Sequence, residues 1–113
     1  MIGAVTRPAS AAAVRKRARG GNEMTDPMVR PIVNRFAWRM ECCLKVNDHK
    51  GGWKGEQLSY LLRRLLEETG ELVEAATDGF PDPLAVEIEA ADVGNLAMMI
   101  ADVCGGLKAG EEE

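Results

Sequence analysis

The tightest constraint on this chain is the segment 61–103, where two helix-period stretches flank the break Asp78-Gly79-Phe80-Pro81-Asp82-Pro83. Each stretch carries an acidic pair at i, i+3: Glu68 with Glu71, and Glu89 with Asp92. At 100° per residue, Val86, Val93, Leu96, Met99, Ile100 and Val103 form one apolar stripe on the second stretch. Glu89 and Asp92 fall inside that stripe, whereas Glu87 and Asp102 fall outside it, on the side where solvated charges belong. On the first stretch Leu58, Leu61, Leu62, Leu65, Leu72 and Ala76 share a face. Glu68 and Glu71 sit on its flank, and Glu67 and Glu74 point further away.

Carboxylates on a core-facing stripe are costly unless donors or cations compensate them. Between Gly55 and Lys108 the only basic residues are Arg63 and Arg64. Four converging acids would repel, and some would stay protonated. A hard divalent cation resolves the conflict. Mg²⁺ takes oxygen ligands, keeps several waters and is commonly shared with phosphates. Carboxylate metal sites between facing helices of a bundle are a known solution of this kind. The plainer alternative is a set of ordinary surface acids, and wheel position rather than acid count separates the two.

Upstream, Ile32, Val33, Phe36, Ala37, Met40, Cys43 and Leu44 share one arc and predict a helix over 31–46. Trp38 lies off that arc, free to pack on another subunit, on a base or over a helix end. Residues 47–56, NDHKGGWKGE, read as a loop. Gly51 and Gly52 permit unusual backbone angles there. Lys50 and Lys54 flank Trp53, giving two point charges for phosphate and a ring for stacking on a base. An ordinary interhelical loop with Trp53 anchored in the core is the competing reading. A helix over 56–78 follows, then Asp82 as cap and Pro83 in the first turn of a helix running to about residue 104. Gly70 and Gly94 mark candidate close approaches. Asn95 shares the face of Asp92 and offers its amide to a ribose hydroxyl, a phosphate, a metal-held water or a neighbouring helix.

The segment 1–27 has no sustained apolar period and carries the cluster Arg15-Lys16-Arg17-Ala18-Arg19, so it reads as a basic tail without structure. It is open to three readings: a nucleic-acid-touching arm, a targeting segment, or sequence upstream of a start at Met24. Residues 28–108 form the helical domain, and 109–113 an acidic frayed tail. Residues 24–113 hold nine basic and seventeen acidic side chains, a balance that argues against nucleic acid as a partner. No apolar run approaches the ~20 residues that span a bilayer, so no membrane is expected. Cys42, Cys43 and Cys104 are odd in number and lack metal spacing, which points to free thiols in a reducing, cytoplasmic compartment. With 46% hydrophobic but only 4% aromatic residues, the composition suits packed helices, and an all-α bundle is the expected fold. About 80 foldable residues in three helices bury little alone, so a second copy is expected to complete the bundle.

Glu67-Glu68-x-x-Glu71 followed by Glu89-x-x-Asp92 resembles the signature of the MazG-like all-α nucleoside triphosphate pyrophosphohydrolases. The resemblance extends through Trp38, Asn47, Lys50, Gly51, Gly52 and Trp53 upstream, and through Asn95 and Met98-Met99 downstream. It covers roughly residues 31 to 105. It implies that Glu68, Glu71, Glu89 and Asp92 bind Mg²⁺, with Mn²⁺ as substitute. It also implies a (deoxy)nucleoside triphosphate split into monophosphate and pyrophosphate, with purine deoxynucleotides (dATP, dGTP) as a narrower option. Glu67 and Glu68 then become the candidate proton acceptors, and Asn47, Lys50, Trp53, Lys54 and Asn95 the candidate substrate contacts. Relatives of this kind assemble as dimers or tetramers. A non-catalytic helical interaction or regulatory module, using its acidic face for partner binding, is the alternative expectation.

Overall fold

Pro31 opens the first long helix, where its missing N–H and fixed φ cost nothing. This helix, α1, runs Pro31–Val46 and closes at Asn47, whose backbone N–H donates to Leu44 O and Lys45 O. The computed structural model describes residues 10–13 and 28–107 of the chain. The expectations for the basic and acidic tails therefore lie outside the described residues, apart from 10–13. Residues 11–13 are helical, with Ser10 Oγ accepting from the Ala13 N–H at 3.0 Å. That is a local departure from a segment expected to be unstructured.

After α1 comes a 3-10 turn, Asp48–Lys50, and then Gly51 at φ +89°, a left-handed angle that a side chain would strain. The loop leads into α2, Leu58–Ala76. The break is built from local polar bonds: Asp78 Oδ1 accepts from the Phe80 N–H at 2.9 Å, and Asp82 Oδ1 accepts from the Leu84 N–H at 3.1 Å. Asp82 is thus the N-cap of α3, Pro83–Val103, with Pro83 in its first turn. The helix is stopped by Gly105 at φ +90°, where Gly105 and Gly106 donate back to Asp102 O and Ala101 O. The elements agree with the expected helices to within two residues at each end, and the described residues contain no strand.

The last helix is the shared one. α2 packs along α3, and α1 packs on another side of it. Gly94 explains the α1 approach: a Cβ there would lie 3.3 Å from Phe36 Cε2 and 3.5 Å from Met40 Sδ. Gly70, the other expected close approach, faces open space in the single chain. Wedged between two helices, α3 buries Ala91, Asn95, Leu96 and Asp102, while α2 buries only Leu61, at 2% exposure. Large apolar side chains elsewhere stay outside. Ile32 is 75% exposed, Leu66 74% and Phe80 94%, and Val46, Leu62 and Val73 are also exposed.

Candidate metal centre and its cavity

The antiparallel contact of α2 with α3 brings Glu68 opposite Glu89 and Asp92. The i, i+3 spacing puts the last two on one face of α3. One carboxylate oxygen from each of the three lies within 4.8 Å of the others, and all three side chains are half-buried. That is the donor set a hard divalent cation requires: several oxygens from separate elements, able to close around one centre. The electrostatics show the strain of crowding. Burial, then the hydrogen bond and charge of Glu71, then the charge of Asp92, push the Glu68 carboxyl up to about 7 despite Arg64 beside it. Burial and the charges of Glu71 and Asp92 also raise Glu89. Asp92 is raised by burial and by Glu71, against the opposing pull of Cys43 and Arg64.

Glu71 behaves differently from its three partners. It is exposed and stands outside the tight trio, yet its charge raises Glu68, Glu89 and Asp92 alike. It forms the open rim of the cluster. Glu67 is also exposed, and Arg64 binds it together with Glu68: Nη1 donates to Glu67 Oε1 and Nη2 to Glu68 Oε1 at 2.7 Å. Cys43 of α1 borders the cavity beside Asp92, and burial, then the charge of Asp92, raises its thiol.

Two of the trio, Glu68 and Asp92, border a cavity of about 580 Å³ bounded by α1, α2, α3 and the loop 47–56, and Glu89 stands outside its wall. Glu68 and Asp92 stand in its wall, as do the expected substrate contacts Asn47, Lys50, Trp53 and Asn95. Leu44, Leu61, Leu96 and Met99 supply apolar surface. Lys54 is not in that wall; its ammonium lies 3.7 Å from Asp102. Asn47 spends its Nδ2 on Cys43 O at 3.2 Å, closing the end of α1. The Asn95 amide donates from Nδ2 to Met40 O at 3.0 Å, and its Oδ1 is buried with no hydrogen-bond partner.

Two readings of the helical wheel need correction. Asp102 is not solvated: it is 8% exposed and accepts from the Trp53 indole N–H at 2.9 Å. The loop folds back over the end of α3 and covers it there. Glu87 is half-buried, and its Oε2 accepts from both Arg35, at 2.6 Å, and Arg39, at 2.9 Å. Those two guanidiniums each lie 4.7 Å from the Trp38 ring centre, so Trp38 sits in a cationic bracket on the outer face of α1. Arg64, Cys43 and Asp102 were missed as site residues. The i, i+4 spacing of Arg64 and Glu68 was a usable signal; nothing local announces Cys43 or Asp102, since Asp102 meets Trp53 and Lys54, 49 and 48 residues away, and Cys43 meets Asp92 across the fold.

No family model matches the chain, and no curated protein or solved structure matches it either.

Proposed function

We propose that this chain is a Mg²⁺-dependent nucleoside triphosphate pyrophosphohydrolase that releases a monophosphate and pyrophosphate. The observation that carries the reading is the convergence of Glu68, Glu89 and Asp92 within 4.8 Å, at the edge of a cavity that also holds Lys50 and Trp53. An acidic cluster alone is common. One that opens on a cavity with a cation and an aromatic ring has the parts a metal-bound polyphosphate ester needs.

Glu68, Glu89 and Asp92 would hold Mg²⁺, or Mn²⁺ in its place, with Glu71 completing the rim. Bound there, the cation supplies charge neutralisation for phosphate oxygens and orientation for a water. Lys50 meets the phosphates as a point charge. Trp53 offers a ring face to the base, and its N–H bond to Asp102 fixes the plane of that ring. Glu68, as a ligand, is a weakened base. Its neighbour Glu67, whose Oε1 is engaged by Arg64, takes the proton of the attacking water at Oε2. The position of cleavage, between the α and β phosphates, is taken from the resemblance. A second copy of this chain covers the apolar faces of α1 and α2, giving a dimer or tetramer.

The test is an assay of pyrophosphate release over a panel of ribo- and deoxynucleoside triphosphates with Mg²⁺, dATP and dGTP included. Asp92→Asn and Glu71→Gln are each expected to lower turnover at least a hundredfold while leaving helical content intact. Wild-type rates in Asp92→Asn, or turnover that survives EDTA, would refute the reading. The exposed apolar side chains also suit a non-catalytic interaction module. That rival predicts no thermal stabilisation by metal plus triphosphate beyond that by metal alone.

A further inference from the structure

α3 carries a ladder of groups into the cavity. Asp92 stands at the metal end, Asn95 lies about 4.5 Å further along the helix axis, and Met99 about 6 Å beyond that. All three border the same cavity. At the level of Asp102 the ladder is closed by the Trp53 indole. Covalent connectivity puts the pentose of any nucleotide between its phosphates and its base. A ligand with phosphates at Glu68, Glu89 and Asp92 and its base against Trp53 therefore sets its sugar at Asn95.

Asn95 is 4% exposed, and Met40 O fixes the orientation of its amide. Met40 O is an acceptor and Nδ2 is the only donor the amide has, so Nδ2 must face α1 and Oδ1 must face the other way. Oδ1 is the one buried side-chain atom among the described residues with no hydrogen-bond partner. A buried acceptor left unmatched is costly and is rarely kept without a use. Its need is a donor, and a pentose offers O–H.

We infer that Asn95 Oδ1 accepts a hydrogen bond from a pentose hydroxyl of the bound nucleotide. This inference rests on the nucleotide reading above and deepens it: the site selects substrates by a sugar hydroxyl, whatever the base. Because Oδ1 has no protein bond to surrender, the gain is on the order of tenfold in affinity.

The experiment measures binding rather than turnover. The full chain, with Ca²⁺ replacing Mg²⁺ to suppress hydrolysis, is titrated calorimetrically with the four 2′-deoxynucleoside triphosphates and their four 2′,3′-dideoxy counterparts. ATP and 3′-deoxyadenosine triphosphate complete the set and separate the 2′ from the 3′ hydroxyl. Wild type is expected to bind at least one deoxynucleotide about tenfold more tightly than its dideoxy partner, or a 2′-hydroxyl ligand by the same margin over one lacking it. Asn95→Ala is expected to bind both members of the pair with the weaker affinity. Equal affinity of wild type for hydroxylated and dideoxy ligands overturns the inference without needing any variant to fold. So does a preference that survives in folded Asn95→Ala. Failure of every triphosphate to bind refutes the nucleotide reading itself, a separate result from binding without hydroxyl preference.

Discussion

At the scale of single residues, crowding of like charges makes the acidic cluster sensitive to pH. Glu68 titrates at about 7 in the folded chain, against 4.5 for an ordinary glutamate. Between those values the folded state holds a proton that the unfolded state has released. Stability of the metal-free protein therefore falls as pH rises through that window. Glu89 and Asp92 are raised too and act in the same direction. Glu87 is lowered by its two arginines, and its effect is confined to more acid solution. Melting in EDTA should give a lower Tm at pH 8 than at pH 5.5, with added Mg²⁺ raising Tm more at pH 8. A flat or rising profile would mean the carboxylates do not crowd. Asp102 gives a second residue-scale prediction. Asp102→Ala strands the Trp53 N–H and should cost about 1–3 kcal/mol. In a Trp38→Phe background it should also shift indole emission to the red. Glu89 and Asp92 were legible because i, i+3 spacing places both on one stripe regardless of tertiary context, whereas the spacing of Glu68 and Glu71 did not show that only Glu68 joins them closely. Asp102 was misread for the complementary reason: a helical wheel describes one helix and knows nothing of a distant loop that lies over it.

At the scale of elements, the turn chemistry was readable and the packing only in part. Asp82 caps α3 as the Asp-Pro pair implies, and Asp82→Ala should cost about 1 kcal/mol in denaturant unfolding. The two glycines share one sequence signal but have different surroundings. Gly94→Ala places a Cβ against Phe36 and Met40, and should loosen α1 from α3 and lower Tm. Gly70→Ala meets nothing within the chain, so helix propensity alone predicts a gain of up to ~1 kcal/mol. A loss there would show that another subunit's backbone lies close to α2. Propensity and period locate elements well because they act over a few residues. Which glycine is needed depends on the neighbour each one meets.

At the scale of the whole molecule, the apolar surface is the dominant fact. Leu61, Ala91 and Leu96 are the only buried apolar residues among those described, while Ile32, Val46, Leu66 and Phe80 are largely in water. Light scattering should find a dimer or larger, with a Tm that rises with protein concentration. A concentration-independent monomer would contradict that assembly. The expectation of association rests on the ratio of foldable length to helix count. Which apolar residues the single chain would leave uncovered was not readable, since the same arc of α1 contains both the half-buried Phe36 and the exposed Ile32 and Val33. Because α1 and α2 both rest on α3, neither has its main support until the third helix has left the ribosome. A nascent chain arrested before residue 83 should stay open to proteases, and the burial of Leu61 should be a late, post-synthetic event.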